Sequence, residues 1–110
     1  MTFSGTYTQA CFDAWINCEN LLGDIAVLKN PISKKYSKVV DECAFICMGT
    51  FHAFKSRSQN ISQMALLCVG ICQECAELCG AINDSTFKKC AAACRQCAEV
   101  MMAVAFTNLQ

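Results

Sequence analysis

Eleven of the 110 residues are Cys, and their spacing is regular. Cys68, Cys72, Cys75 and Cys79 lie at offsets 0, 4, 7 and 11. Cys90, Cys94, Cys97 and Met101 repeat those offsets, with a thioether in the last slot. Cys43 and Cys47 are four apart, and Cys11 and Cys18 are seven apart. On a helix of 3.6 residues per turn each set falls on one face. Two thiolates four residues apart can swing their sulfurs onto one soft ion. Cu(I) suits this best, because it is soft and takes thiolate and thioether sulfur. Each monovalent ion also offsets one thiolate, whereas buried thiolates without counter-ions are prohibitively costly. Multiple Cu(I) ions are therefore expected, held by all eleven Cys, with thiol protons released on binding.

Other chemistries fit the pattern less well. A lone Cys is usually a small buried hydrophobe, but eleven on inward stripes would leave a core underfilled relative to Leu or Ile. Residues i and i+4 have Cβ atoms ~5–6 Å apart, beyond the ~3.5–4.5 Å of a disulfide, so bridges are expected only between helices and only on oxidation. Zinc needs a closed set of four ligands, and continuous helical spacing favours a row of ions instead. The strings Cys68-x3-Cys72-x2-Cys75 and Cys90-x3-Cys94-x2-Cys97 match an iron–sulfur pattern of radical enzymes, whose larger barrel a chain of 110 residues cannot supply. The bacterial ferredoxin run is absent, since Gly80 follows Cys79. The alternatives kept open are a zinc-binding bundle and a bundle whose thiols respond to oxidation.

The elements that must position these sulfurs are helices. The chain has one Pro, five Gly and 14 Ala, and no alternating strand pattern. Four helices are expected, at about 6–28, 33–55, 61–81 and 85–106, in one domain spanning 1–110. The first should stop before Asn30-Pro31, because the residue before proline is pushed out of the α region. Asn60 with Gln63 reads as a capping box, and Asp84 or Ser85 as an N-cap. Equal helices of ~30 Å joined by short loops give an all-α, antiparallel up-down-up-down four-helix bundle with a Cys-lined core. Trp15, Leu22 and Ile25 extend the first stripe, and Val40, Phe51 and Phe54 the second. Glu74, Glu77, Arg95 and Glu99 lie on the outer faces.

Antiparallel order puts Cys79 and Cys90 at the end where the third and fourth helices join, here called the top. Cys75, Cys94 and Cys97 should follow, then Cys72, Cys18, Cys43 and Cys47, with Cys68 and Cys11 lowest. The column should be dense at the top, sparse below, and ~16 Å long on the third helix. His52, Met48 and Met64 are read first as packing or surface residues, with an accessory metal role as the alternative. Met101 has the stronger accessory claim because it occupies a thiol slot. Trp15, Phe51 and Phe54 are expected to plug the lower core. Lys34, Lys35, Lys38, Lys88 and Lys89 gather near the top as a solvated face.

The stretches Cys68-Val69-Gly70-Ile71-Cys72-Gln73-Glu74-Cys75-Ala76-Glu77-Leu78-Cys79 and Cys90-Ala91-Ala92-Ala93-Cys94-Arg95-Gln96-Cys97-Ala98-Glu99-Val100-Met101 resemble the third and fourth helices of the bacterial four-helix-bundle copper storage proteins, the Csp family. The first two helices match loosely. The resemblance implies a non-enzymatic bundle that stores many Cu(I) ions, usually as a homotetramer, with a copper donor or acceptor as partner. It also implies that Met101 stands where the family has Cys, which points to reduced capacity.

Balanced charge, nine Lys+Arg against nine Asp+Glu, gives no basic stripe for nucleic acid. The start Met1-Thr2-Phe3-Ser4-Gly5-Thr6-Tyr7 has no positive n-region or apolar h-region, so a cytoplasmic protein is expected unless a leader was removed. No unbroken run of 18 apolar residues occurs, so no membrane span is expected.

Overall fold

The computed structural model describes residues 5–28, 32 and 34–106. Four helices follow in chain order: α1 (Gly5–Ala26), α2 (Lys34–Lys55), α3 (Ile61–Gly80) and α4 (Ser85–Ala105). No strand occurs among the described residues. α1 packs on α2 and α4, and α3 packs on the same two helices. This is the neighbour pattern of an antiparallel four-helix bundle, the architecture read from the sequence.

The helix ends differ from expectation where local bonds decide. α1 stops at Ala26 rather than Leu28, because the N–H groups of Val27 and Leu28 turn to the carbonyls of Asp24 and Ile25, three residues back, at 3.2 Å each. The break at Asn30-Pro31 and the start at Ser33 lie outside the described residues. α2 closes with Arg57 at φ 56° and a bond from the Ser58 N–H to the Ala53 carbonyl at 2.9 Å. That is a Schellman closure with a side chain where glycine is usual. The capping box at Asn60 and Gln63 does not form. Asn60 sits at φ −96°, ψ 17° and makes no side-chain cap bond, because an N-cap side chain reaches back only from extended backbone. Asp84 is extended, and its carboxylate accepts from the N–H groups of Thr86 at 2.9 Å and Phe87 at 3.2 Å.

α3 ends at Gly80, one residue before the expected Ala81, and α4 ends at Ala105 rather than Phe106. Two cations from α4 hold the end of α3. Lys88 Nζ donates to the Gly80 carbonyl at 2.8 Å and Arg95 Nη2 to the Ala76 carbonyl at 3.5 Å. Positive charge at a helix C-terminus also suits its dipole. A Cβ on Gly80 would lie 2.6 Å from Arg95 Nη2, so a side chain there would push the guanidinium aside. Lys88 is therefore an end-clamp rather than part of a freely solvated face. α3 has the length and composition to cross a membrane even without an unbroken apolar run. In the bundle its thiol face is fully buried, as in a core helix.

The core stripes are narrower than the sequence suggested. On α1 the buried row is Ala10, Cys11, Ala14, Cys18 and Leu21. Leu22, expected to face inward, is only half-buried, as are Ile25 and Trp15. On α2, Thr50 is fully buried while Phe51 is half-buried. Thr50 satisfies its hydroxyl by donating to the Ile46 carbonyl at 2.7 Å.

Candidate metal centre

Every one of the eleven Cys side chains is a free thiol with no exposed surface. All but Cys11 assemble into three groups, within each of which the sulfurs lie within 4.8 Å of one another. The uppermost is Cys75, Cys79 and Cys90. Below it, Cys18, Cys43, Cys75 and Cys94 bring one thiol from each helix. The third group is Cys47, Cys68, Cys72 and Cys97. Metal–sulfur bonds of ~2.3 Å place two ligating sulfurs ~3.8 Å apart at a tetrahedral angle, so each group has the dimensions of a metal site.

The groups are joined into one column. Cys75 belongs to two of them. Cys43 Sγ is 3.8 Å from Cys72 Sγ and 3.9 Å from Cys47 Sγ. The shortest contact is Cys47 to Cys72, at 3.5 Å. At the lower end Cys11 donates to Met101 Sδ at 3.6 Å.

Two details of the expected arrangement change. Cys97 sits low, with its Sγ 3.6 Å from Cys68, rather than with Cys75 and Cys94. The column is densest at mid-height, where the two four-thiol groups stack, and thins towards both ends. The argument that continuous helical spacing disfavours closed four-ligand sets also fails. Cross-helix packing builds two such sets from stripes that no single helix could close.

Electrostatics bears on what these groups can hold. Hydrogen bonds to Cys68 and Cys97, then burial, push the Cys11 thiol up. Bonds to their neighbours, with burial adding to the shift, likewise raise Cys18 and Cys72. Cys43, Cys68, Cys94 and Cys97 are pulled down by hydrogen bonding with neighbouring thiols, first with Cys18 for Cys43 and Cys94 and first with Cys11 for Cys68 and Cys97. Cys79 is drawn down by Cys75, but its bond to Cys90, burial and the charges of Cys90 and Cys94 leave it at about 12. Among the described residues no Lys, Arg or His is buried. Without a cation in the core, each thiolate formed there would be a buried charge with nothing to offset it.

The accessory residues separate. Met101 is fully buried at the foot of the column. Met64 is half-buried and packs against Gly49, where a Cβ would stand 3.3 Å from the Met64 Cε. Met48 is also half-buried. His52 is exposed, with its ring 5.4 Å from Phe51 and 6.1 Å from Trp15, and it joins no metal-ligand group among the described residues. Trp15 and Phe51 line the α1–α2 seam with Phe12 rather than plugging the core. Phe54 is buried and stacks on Tyr7. Lys34, Lys35, Lys38 and Lys89 are exposed. The closed four-thiol groups are what sequence reasoning missed, and the pairing of α3 slots with α4 slots in antiparallel order was the signal for them.

An uncharacterized cysteine-rich protein, YhjQ, of Bacillus subtilis (strain 168) is 29% identical over 104 residues, covering 90% of this chain and 96% of that protein. No solved structure matches the chain. The profile of the copper storage protein family, Csp, matches residues 4–105. A buried thiol column on four helices, matched by that profile over nearly its whole length, places the chain in the Csp copper storage protein family.

Proposed function

We propose that the protein stores or buffers Cu(I), holding several ions on the eleven Cys thiolates. The observation that carries this reading is a continuous thiol column in a core that contains no cationic side chain among the described residues. Four thiolates around one Zn2+ leave two negative charges, and two such sets would leave four, buried with nothing to offset them. One monovalent ion per thiolate leaves the column neutral, and thiolate is a preferred ligand of Cu(I). The role is binding and release rather than catalysis. Thiols kept free in this number suit the reducing cytoplasm, where a copper donor or acceptor would exchange ions with the protein. A homotetramer, implied by the family resemblance, would have exposed Phe45, Leu66 and Leu67 available for contact.

The two four-thiol groups favour one competing reading, a protein that binds two zinc ions. Anaerobic titration of the reduced, metal-free protein separates them. Cu(I) is expected to bind until the ion count approaches the thiol count, and to be lost on acidification, because protons compete for thiols whose burial favours the neutral form. Uptake of only one or two Cu(I), with two Zn2+ bound tightly, would overturn storage. Light scattering of the same sample tests the tetramer.

A further inference from the structure

The sulfur slots of α3 and α4 face one another in antiparallel register. Cys79 shares a group with Cys90, Cys75 with Cys94, and Cys72 with Cys97. One step lower, the same register sets Cys68 against Met101. Met101 is wholly buried, and its Sδ accepts the S–H of Cys11 at 3.6 Å. Cys11 also interacts with Cys68 and Cys97, which are 3.6 Å apart. One turn below Cys47, α2 carries Thr50, whose hydroxyl is already committed to the Ile46 carbonyl. The foot of the column thus draws its sulfur from α1, α3 and α4, and α2 brings no thiol below Cys47. A methionine that only fills volume has no need to meet a thiol through its sulfur, since a carbon chain would fill the space as well.

We infer that Cys11 and Met101 form a terminal thiolate–thioether site for a soft monovalent ion, Cu(I) or Ag(I), different in kind from the all-thiol groups above it. The inference rests on the copper-storage reading. A thioether carries neither charge nor proton, so one thiolate and one monovalent ion leave this dry end neutral. Zn2+ there would leave a net positive charge and would meet a soft ligand it takes poorly. The 3.6 Å separation is close to the ~3.8 Å that two metal–sulfur bonds require at a tetrahedral angle, so binding asks little movement of either side chain. With a single thiolate and a neutral partner, this site attracts its ion less strongly than a four-thiol group does. It fills last and empties first.

The test uses the full chain, reduced and selenomethionine-substituted, with Cu(I) alone added without oxygen. X-ray absorption at the selenium edge is expected to show copper at bonding distance from selenium once the column is nearly full, and not before. Met101→Leu, which keeps the volume, is expected to lose that signal and to saturate one ion short of wild type. Met101→Cys should regain the ion and hold it at least tenfold more tightly. Absence of a copper–selenium neighbour at saturation overturns the site, and so does a Met101→Leu protein that fills as wild type does. If Met101→Leu fails to fold, the selenium signal of the wild type and its loss in Met101→Cys decide. A zinc–selenium neighbour after adding Zn2+ alone overturns the selectivity. Wild-type uptake of only one or two Cu(I) overturns storage instead, and the selenium edge of that same sample still shows whether Met101 holds an ion.

Discussion

The α3–α4 hairpin carries seven of the eleven thiols and the α1–α2 hairpin four, although the two halves are built on helices of nearly equal length. The apolar packing beside the thiols is more evenly shared. α3 and α4 bury Ala65, Ala76, Ala91 and Ala98 together with Ile61, Val69, Phe87 and Val104. α1 and α2 bury Leu21, Val39, Val40 and Phe54 beside their thiols, and their outer seam carries Phe12, Trp15 and Phe51. Cys is smaller than Leu, so a column of sulfur on all four helices would pack loosely in the metal-free state. Burying apolar side chains beside the sulfur on both hairpins lets a fold with a thiol core stand before any ion arrives. The hairpins differ chiefly in how many thiols they bring, and both hold the bundle together.

The largest expected effect comes from breaking the sulfur-rich half. Cys72 lies in the lower four-thiol group, where its Sγ touches Cys47, Cys68 and, across to the other group, Cys43. Cys94 lies in the upper group beside Cys18 and Cys43. Replacing both with Ala removes a shared ligand from each group, so the double variant is expected to lose several Cu(I) ions. Cys11→Ala, outside both groups, is expected to lose one at most. Anaerobic Cu(I) titration with helix content followed in parallel measures both. Equal losses would show that the sulfurs act independently and that the asymmetry between the halves has no bearing on capacity.

The sequence displayed these halves unequally. A 0, 4, 7, 11 pattern repeated on α3 and α4 leaves little freedom in which face turns inward, so the thiol stripes, the bundle and the slot taken by Met101 were all legible. α1 has only two thiols, seven residues apart, and its azimuth is less constrained. Leu21 and Leu22 differ by about 100° around the helix axis, and both are compatible with a stripe through Cys11 and Cys18. Packing chose Leu21. The level of Cys97 and the closure of the four-thiol groups depend on how far each helix slides along its neighbours, which no single helix encodes. The Asn60 cap failed because the α2–α3 turn is set by Arg57 in the left-handed region and by the bond from Ser58 to Ala53, not by the residue next to α3.

A smaller effect is expected in the half with fewer thiols. Leu21 is fully buried on α1, one turn beyond Cys18. Leu21→Ala is expected to destabilise the metal-free protein by about 3 kcal/mol, through lost transfer energy and the cavity left behind. Its Cu(I) capacity should hold, because no thiol is removed. Denaturant unfolding of metal-free and metal-loaded samples checks both halves of this statement. If the variant instead lost ions while keeping its stability, Leu21 would be positioning ligands, and the thiol count alone would not set capacity.

The smallest effect falls on the turn that closes the sulfur-rich hairpin. Asp84 satisfies two of the free N–H groups that begin α4, those of Thr86 and Phe87, and its negative charge sits at the positive end of the helix. Asp84→Ala removes both contributions, at a cost of about 1 kcal/mol. Lys88 and Arg95, one and three turns further along, remain to clamp α3 to α4, and Phe87 stays buried against Tyr36. The hairpin should therefore keep its register, and with it the pairing of Cys79 with Cys90 and of Cys75 with Cys94. A denaturation midpoint lowered by that amount, with Cu(I) uptake unchanged, is the expected result. A parallel loss of ions would mean that the register is held by the cap at one end, not by the alanine seam and the two cations that run down the hairpin.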